Sequence, residues 1–224
     1  MLMINEDNQR AKLLSLIVLT LLFLLNDFPL IYAHTYISWL LIDYSVRISA
    51  LSIILYLVKR KISVSSEFGL VKIEIKPLVI WAAVSSIIGI AVDQIGWRYL
   101  ERILPETQIM SFPKIKNPFV KGFDLTAGML LVSITEELIF RGYYFSVLRS
   151  YTKNPFIIIS ISSLMFGLIH WSLGLHGIIV AAIWGILPMI AMWKTGSVFP
   201  AIIAHYVTDF VGFSGVIPNK WFYF

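Results

Sequence analysis

Apolar segments long enough to cross a lipid bilayer follow one another from end to end of this chain. Hydrophobic residues make up 58% of its 224 residues and charged residues only 14%, whereas roughly a quarter of the residues of a soluble domain are charged. A helix needs about 20 mostly apolar residues to cross the hydrocarbon core. The pattern therefore predicts an all-α, polytopic integral membrane helix bundle that forms a single membrane domain over residues 1–224.

The hydropathy pattern predicts about seven transmembrane helices. They cover residues 13–32, 37–58, 77–97, 125–148, 155–171, 176–193 and 198–216. Pro105, Pro113 and Pro118 argue against a continuous helix in the loop before the fourth span. We expect a partly interfacial segment there. The expected location is the cell membrane, as a multi-pass protein in contact with membrane lipids.

Charge and cysteine content exclude several classes of function. The net charge of +5 comes from basic residues that gather in loops, which is typical of membrane topology and predicts no nucleic-acid partner. The chain has no cysteine, so disulfides, thiolate catalysis and Cys-based metal sites are excluded. Any metal ion would be held by histidine and carboxylate side chains.

Two adjacent glutamates interrupt the fourth apolar segment. Glu137 and Arg141 are four residues apart, so they share a helix face and are expected to form an ion pair that supports the site. Glu136 points about 100° away from Glu137. We expect Glu136 to be left unpaired, to face a cavity and to act as a general base.

Histidines in two later spans are the expected partners of Glu136. Phe166 and His170 lie on one face of the fifth span, and His205 and Asp209 on one face of the seventh. Phe166 is expected to pack and shape the site. Two imidazoles with a carboxylate and an open position suit catalytic zinc.

The candidate metal ligands are side chains of three spans. They are Glu136, His170, His205 and Asp209. A carboxylate one turn from a histidine can also orient the imidazole ring instead of binding the metal. His176, six residues beyond His170, is an alternative ligand.

Three motifs in this order resemble those of one family of membrane proteases. Glu-Glu-x-x-x-Arg (136–141), Phe-x-x-x-His (166–170) and His-x-x-x-Asp (205–209) are similar to the motifs of the CPBP family, the CAAX-protease and bacteriocin-processing group, also called Abi proteins. The resemblance covers residues 124–216, which we expect to form the catalytic core. Residues 1–123 contribute N-terminal spans and loops. Asp209 stands where the prenyl-protein protease branch typically has asparagine.

The resemblance implies hydrolysis of a peptide bond within the membrane. The substrate would be a membrane-associated or prenylated protein or peptide. Glu136 would activate a water molecule with help from His170. His205 and Asp209 would either complete a zinc site or, in a metal-free glutamate mechanism, stabilise the tetrahedral intermediate. The sequence leaves both mechanisms open.

Two other classes of function remain open from the sequence. Buried charged residues also mark the pathways of ion-coupled transporters, and a non-catalytic immunity or scaffold protein can share a protease fold. Asp43 and Arg47 are expected to form an i, i+4 pair without a function. Asp27 and Asp93 are given no role.

Overall fold

The computed structural model describes residues 6–112 and 114–217; Pro113 lies outside them. Seven long helices and no strand occur in these residues, which confirms the predicted helical bundle. The helices are α1 (Glu6–Ile31), α2 (Tyr36–Lys59), α3 (Ile75–Ile103), α4 (118–151), α5 (Pro155–Leu168), α6 (Gly174–Thr195) and α7 (Phe199–Ser214).

The loop before α4 is shorter than the hydropathy pattern predicts. α3 continues six residues past the predicted end of its span at 97, and α4 begins at Pro118 instead of 125. The Asn117 side chain accepts hydrogen bonds from the backbone N–H groups of Phe119 (2.9 Å) and Val120 (3.2 Å). The N–H group of the first helical residue has no partner within the helix, so proline is favoured there. Together with the Asn117 cap, Pro118 therefore starts α4 earlier than the apolar pattern predicts. The interfacial placement of the loop stays a prediction.

Within the described residues, four helical segments have both the length and the composition to cross a membrane. They are α1, α2, α3 and the segment Trp171–Thr195, which contains α6. α5 has 14 residues and α7 has 16, fewer than the roughly 20 that a perpendicular span needs. α4 is long enough, but it carries two glutamates and an arginine in its apolar part.

α7 packs against α3, α4 and α6. The α1–α2 hairpin packs on the other side of α4. Large apolar side chains point outward from several helices, among them Leu41, Ile87 and Leu164, each more than half exposed. Charged side chains such as Glu137 and Arg141 are fully buried. This inverted distribution is expected when lipid surrounds a bundle with a polar interior.

Three π-helical turns interrupt the helices of the part of the chain that the structure describes, each beside or containing acidic residues. Val92–Gly96 in α3 contains Asp93, and Asp124–Gly128 in α4 contains Asp124. The third, Leu138–Tyr143, directly follows the glutamate pair in α4. Single π-helical turns inside α-helices occur frequently at functional sites.

The π-helical turn Leu138–Tyr143 packs against the short 3₁₀ turn Ser65–Phe68. A Cβ atom on Gly142 would lie 2.1 Å from the carbonyl oxygen of Phe68. The Tyr143 ring stacks on Phe68 with 4.5 Å between centroids. Glycine at 142 therefore allows a backbone contact that holds this turn against the loop.

Gly142→Ala should destabilise the protein because the added methyl group overlaps backbone atoms that cannot move aside independently. Overpacking of this kind costs about 1–3 kcal/mol. The measurement is the thermal unfolding midpoint of detergent-solubilised protein. Gly122→Ala is the matched control, since no atom lies within 4 Å of its added Cβ. Equal midpoints for the two variants would contradict the close contact.

Candidate active site

Glu137 forms the predicted ion pair with Arg141. Its Oε2 atom lies 3.0 Å from Arg141 Nε, and both side chains are completely buried. The Arg141 guanidinium also lies over the Phe166 ring, with 3.9 Å from Cζ to the ring centroid. The Phe166 ring thus packs against the buried pair. The supporting role of these three residues for the site stays a prediction.

Glu136 is not unpaired, so that expectation is wrong. Its Oε1 atom lies 3.0 Å from Nη2 of Arg47, a residue of α2. Helical periodicity identifies partners within one helix, whereas this partner comes from another helix. The expected position at a cavity is confirmed, because Glu136 lines one. Its role as a general base stays a prediction.

His205 lies among three carboxylate groups. Its Nδ1 atom is 2.8 Å from Glu137 Oε1, and its Nε2 atom is 3.4 Å from Asp209 Oδ2. The distance from Nε2 to Glu136 Oε2 is 3.9 Å. His205 and Asp209 therefore share a face of α7 as predicted, and the ring links the two glutamates of α4.

His170 lies just beyond the end of α5 and also lines the cavity. Its Nδ1 atom is 2.8 Å from the Phe166 carbonyl oxygen. Because a carbonyl only accepts, Nδ1–H must donate, and Nε2 of the neutral ring then carries the free lone pair. This hydrogen bond leaves Nε2 available to bind a water molecule or another polar group.

Phe166 lies between the two histidines. Its ring centroid is 5.0 Å from that of His170 and 5.8 Å from that of His205. The predicted packing role of Phe166 agrees with these contacts. His176, the alternative ligand, packs edge-on against Trp97 with 4.6 Å between centroids.

The π-helical turn of α4 is fixed by a side chain of α5. Ser162 Oγ donates to the Phe140 carbonyl at 2.5 Å. Extra hydrogen-bond partners of this kind support helix irregularities, because the regular backbone ladder is interrupted there. The turn that follows Glu136 and Glu137 is consequently attached to the helix that precedes His170.

A cavity of about 260 Å³ brings the predicted groups together. All four candidate catalytic residues line it: Glu136, His170, His205 and Asp209. Its wall also includes residues of the N-terminal helices that were given no role from the sequence, namely Asn26, Asp27, Asp43, Arg47 and Asp93. The site is therefore built from both parts of the chain, and α1, α2 and α3 contribute polar groups to it.

The N-terminal polar residues are connected to one another. Asp43 pairs with Arg47 at 3.0 Å, as predicted, and accepts a hydrogen bond from Asn26 Nδ2 at 3.2 Å. Asp27 accepts from Ser172 Oγ at 2.5 Å, which joins α1 to the turn before α6. One sequence signal could have predicted this shared polar interior. Several apolar spans each contain an acidic or basic residue.

The described side chains do not fit a metal ion. Within residues 6–112 and 114–217, no group of three histidine or carboxylate side chains is arranged to hold one. Two of the four predicted ligands have other partners: Glu136 binds a guanidinium group, and the two nitrogens of His205 face carboxylates. Zinc therefore stays a prediction from the sequence.

Comparison with known proteins identifies the segment that contains the motifs. Residues 119–211 match the family described as type II CAAX prenyl endopeptidase Rce1-like. The matched segment contains Glu136, His170, His205 and Asp209. No curated protein and no solved structure matches the chain.

Arg141→Met should strongly destabilise the protein, because it leaves the carboxylate of Glu137 buried without its cation. Breaking a buried pair in this way costs about 3–5 kcal/mol. The double variant Glu137→Gln/Arg141→Met should recover much of this loss, since it removes both charges and keeps an acceptor for His205. Thermal unfolding in detergent measures both. A double variant no more stable than Arg141→Met would contradict the pairing.

Proposed function

We propose that this chain, whose residues 119–211 match the Rce1-like family of type II CAAX prenyl endopeptidases, is an intramembrane endopeptidase that uses Glu136 to activate water. The observation that carries the proposal is the position of Glu136. It is 97% buried in the bundle, lines the cavity, and lies 3.9 Å from an imidazole nitrogen. A buried carboxylate beside histidines in a protease family suits general-base catalysis.

The proposed reaction uses this chain's own side chains. Glu136 accepts a proton from a water molecule, which His170 Nε2 helps to orient. The resulting hydroxide attacks the scissile carbonyl carbon and forms a C–O bond. The proton held by Glu136 then passes to the amide nitrogen as the C–N bond breaks. The products are a carboxylic acid and an amine, so atoms and charge balance.

His205 is the proposed donor to the oxyanion of the tetrahedral intermediate. Nδ1–H donates to the Glu137 carboxylate at 2.8 Å, while Nε2 is directed towards Asp209 and Glu136. A protonated Nε2 on this side of the ring would donate to the carbonyl oxygen of a substrate bound in the cavity. Stabilisation of developing charge by a fixed donor contributes several kcal/mol in acyl-transfer enzymes. Asp209 orients the imidazole ring and stabilises its positive charge. This role does not require a neutral side chain.

The substrate class follows from the family and the cavity wall. We propose a membrane-associated or prenylated protein or peptide as substrate and the cell membrane as the location. Apolar side chains such as Leu40, Met129 and Phe213 line the cavity together with the polar groups. Such a surface accepts an apolar substrate segment while the carboxylates and imidazoles reach the peptide bond.

Glu136→Gln should abolish peptide cleavage because an amide cannot accept the proton of water. General-base catalysis contributes about 10²–10⁴-fold, and kcat should fall by this factor. The measurement uses purified protein and a fluorogenic farnesylated peptide ending in Cys-aliphatic-aliphatic-Met. The same peptide without the farnesyl group tests the lipid requirement.

Glu74→Gln is the matched control, since Glu74 is an exposed glutamate at the start of α3. It should cleave like the wild type. Normal cleavage by Glu136→Gln would disprove the assignment of the base. Binding of the peptide without cleavage by the wild type would favour the scaffold alternative instead.

Metal analysis distinguishes the two mechanisms that the sequence leaves open. The glutamate mechanism predicts substoichiometric zinc in purified protein and full turnover after dialysis against a chelator. Near one zinc ion per chain, with loss of both zinc and activity in His170→Ala, would instead support the four predicted ligands.

A further inference from the structure

Arg47 is the one guanidinium of the described residues that reaches the carboxylate assigned as the base. Its Nη2 atom lies 3.0 Å from Glu136 Oε1 and 3.0 Å from Asp43 Oδ1. The three side chains are at least nine-tenths buried. The Arg47 guanidinium thus links the carboxylate of Asp43, on its own helix α2, to the carboxylate of Glu136 on α4.

The Arg47 side chain is held in place independently of Glu136. Its guanidinium carbon lies 4.8 Å from the centroid of the Phe23 ring, a cation–π contact with α1. Asp43, its partner one turn earlier, is in turn held by Asn26 Nδ2. The Arg47 guanidinium is therefore held by contacts with α1 and α2 that do not involve α4.

The two oxygens of Glu136 have different surroundings. Oε1 contacts Arg47, whereas Oε2 has no hydrogen-bond donor among the residues that the structure describes. Oε2 is the atom nearest to His205 Nε2, at 3.9 Å. The contact with Arg47 therefore determines which oxygen is directed towards the imidazole and left to accept a proton.

We propose that Arg47 is a positioning residue for Glu136: it holds Oε1 so that Oε2 is the proton-accepting atom. This inference rests on the proposed function. The inference gives α2 a role in the reaction. This helix lies outside residues 119–211, the segment that matches the family. Misplacement of a catalytic group by about 1 Å can cost about 10²-fold in rate.

The competing explanation is that Arg47 only neutralises Asp43 within α2. The two explanations differ for a variant in which α2 loses both charges. If Arg47 only neutralises Asp43, a variant that lacks both charges should keep the kcat of the wild type. If Arg47 positions Glu136, the double variant still lacks the contact that directs Oε2.

The test compares Asp43→Asn/Arg47→Met with Asp43→Asn and the wild type, using the farnesylated peptide. We expect kcat of the double variant to fall about 10²-fold with KM unchanged, because the substrate still binds while the base is misdirected. Asp43→Asn keeps Arg47 and measures the effect of losing Asp43 alone, so kcat of the double variant should lie well below that of Asp43→Asn. Arg47→Lys keeps the charge without the planar fork, so its kcat should lie between those of the wild type and the double variant.

Lys12→Met/Glu67→Gln is the matched control. Lys12 and Glu67 form an ion pair between α1 and the Ser65–Phe68 turn, and neither residue lines the cavity. Removing this pair should leave kcat unchanged.

Three outcomes overturn the inference. A kcat of Asp43→Asn/Arg47→Met close to that of the wild type would show that Arg47 serves only Asp43. A loss of stability without a change in kcat would assign Arg47 to folding alone. An inactive wild type would contradict the proposed function itself, and the inference with it. The activity of the wild type therefore separates the two failures.

Discussion

Neutralisation of buried charge is the constraint on which the rest of this bundle depends. An ionised group removed from water without a partner costs several kcal/mol. Arg141 neutralises Glu137 within α4, and Arg47 bridges Asp43 and Glu136 between α2 and α4. These contacts allow a carboxylate to remain inside an apolar bundle, and the same contacts orient it. In the proposed mechanism, stability and chemistry thus depend on the same ion pairs.

Irregular helices give the site its geometry. The π-helical turn Leu138–Tyr143 follows the two glutamates directly, and Ser162 of α5 attaches it to the helix that ends near His170. Gly142 lets the same turn contact the backbone of Phe68. The relative positions of α4 and α5, and hence of Glu136 and His170, are fixed by these contacts outside the cavity.

Sequence periodicity predicts contacts within a helix and not those between helices. The pairs Glu137–Arg141 and His205–Asp209 were predicted because residues four apart share a face, and the structure contains both. The contact between Arg47 and Glu136 joins two helices, so no spacing in the sequence reveals it. The π-helical turns were also missed, because helical periodicity does not distinguish a single π-helical turn from the α-helix on either side of it. Hydropathy gave the helices but placed the start of α4 seven residues late, since the Asn117–Pro118 start signal precedes the apolar run.

The central claim is that Glu136 acts on water and does not attack the peptide bond itself. The most direct measurement is the oxygen isotope content of the products after a single turnover in H₂¹⁸O with enzyme in excess. General-base hydrolysis predicts one ¹⁸O atom in the new carboxyl group of the cleaved peptide and none in Glu136. An unlabelled product together with ¹⁸O in the Glu136 carboxyl group would show a covalent acyl intermediate and contradict the account.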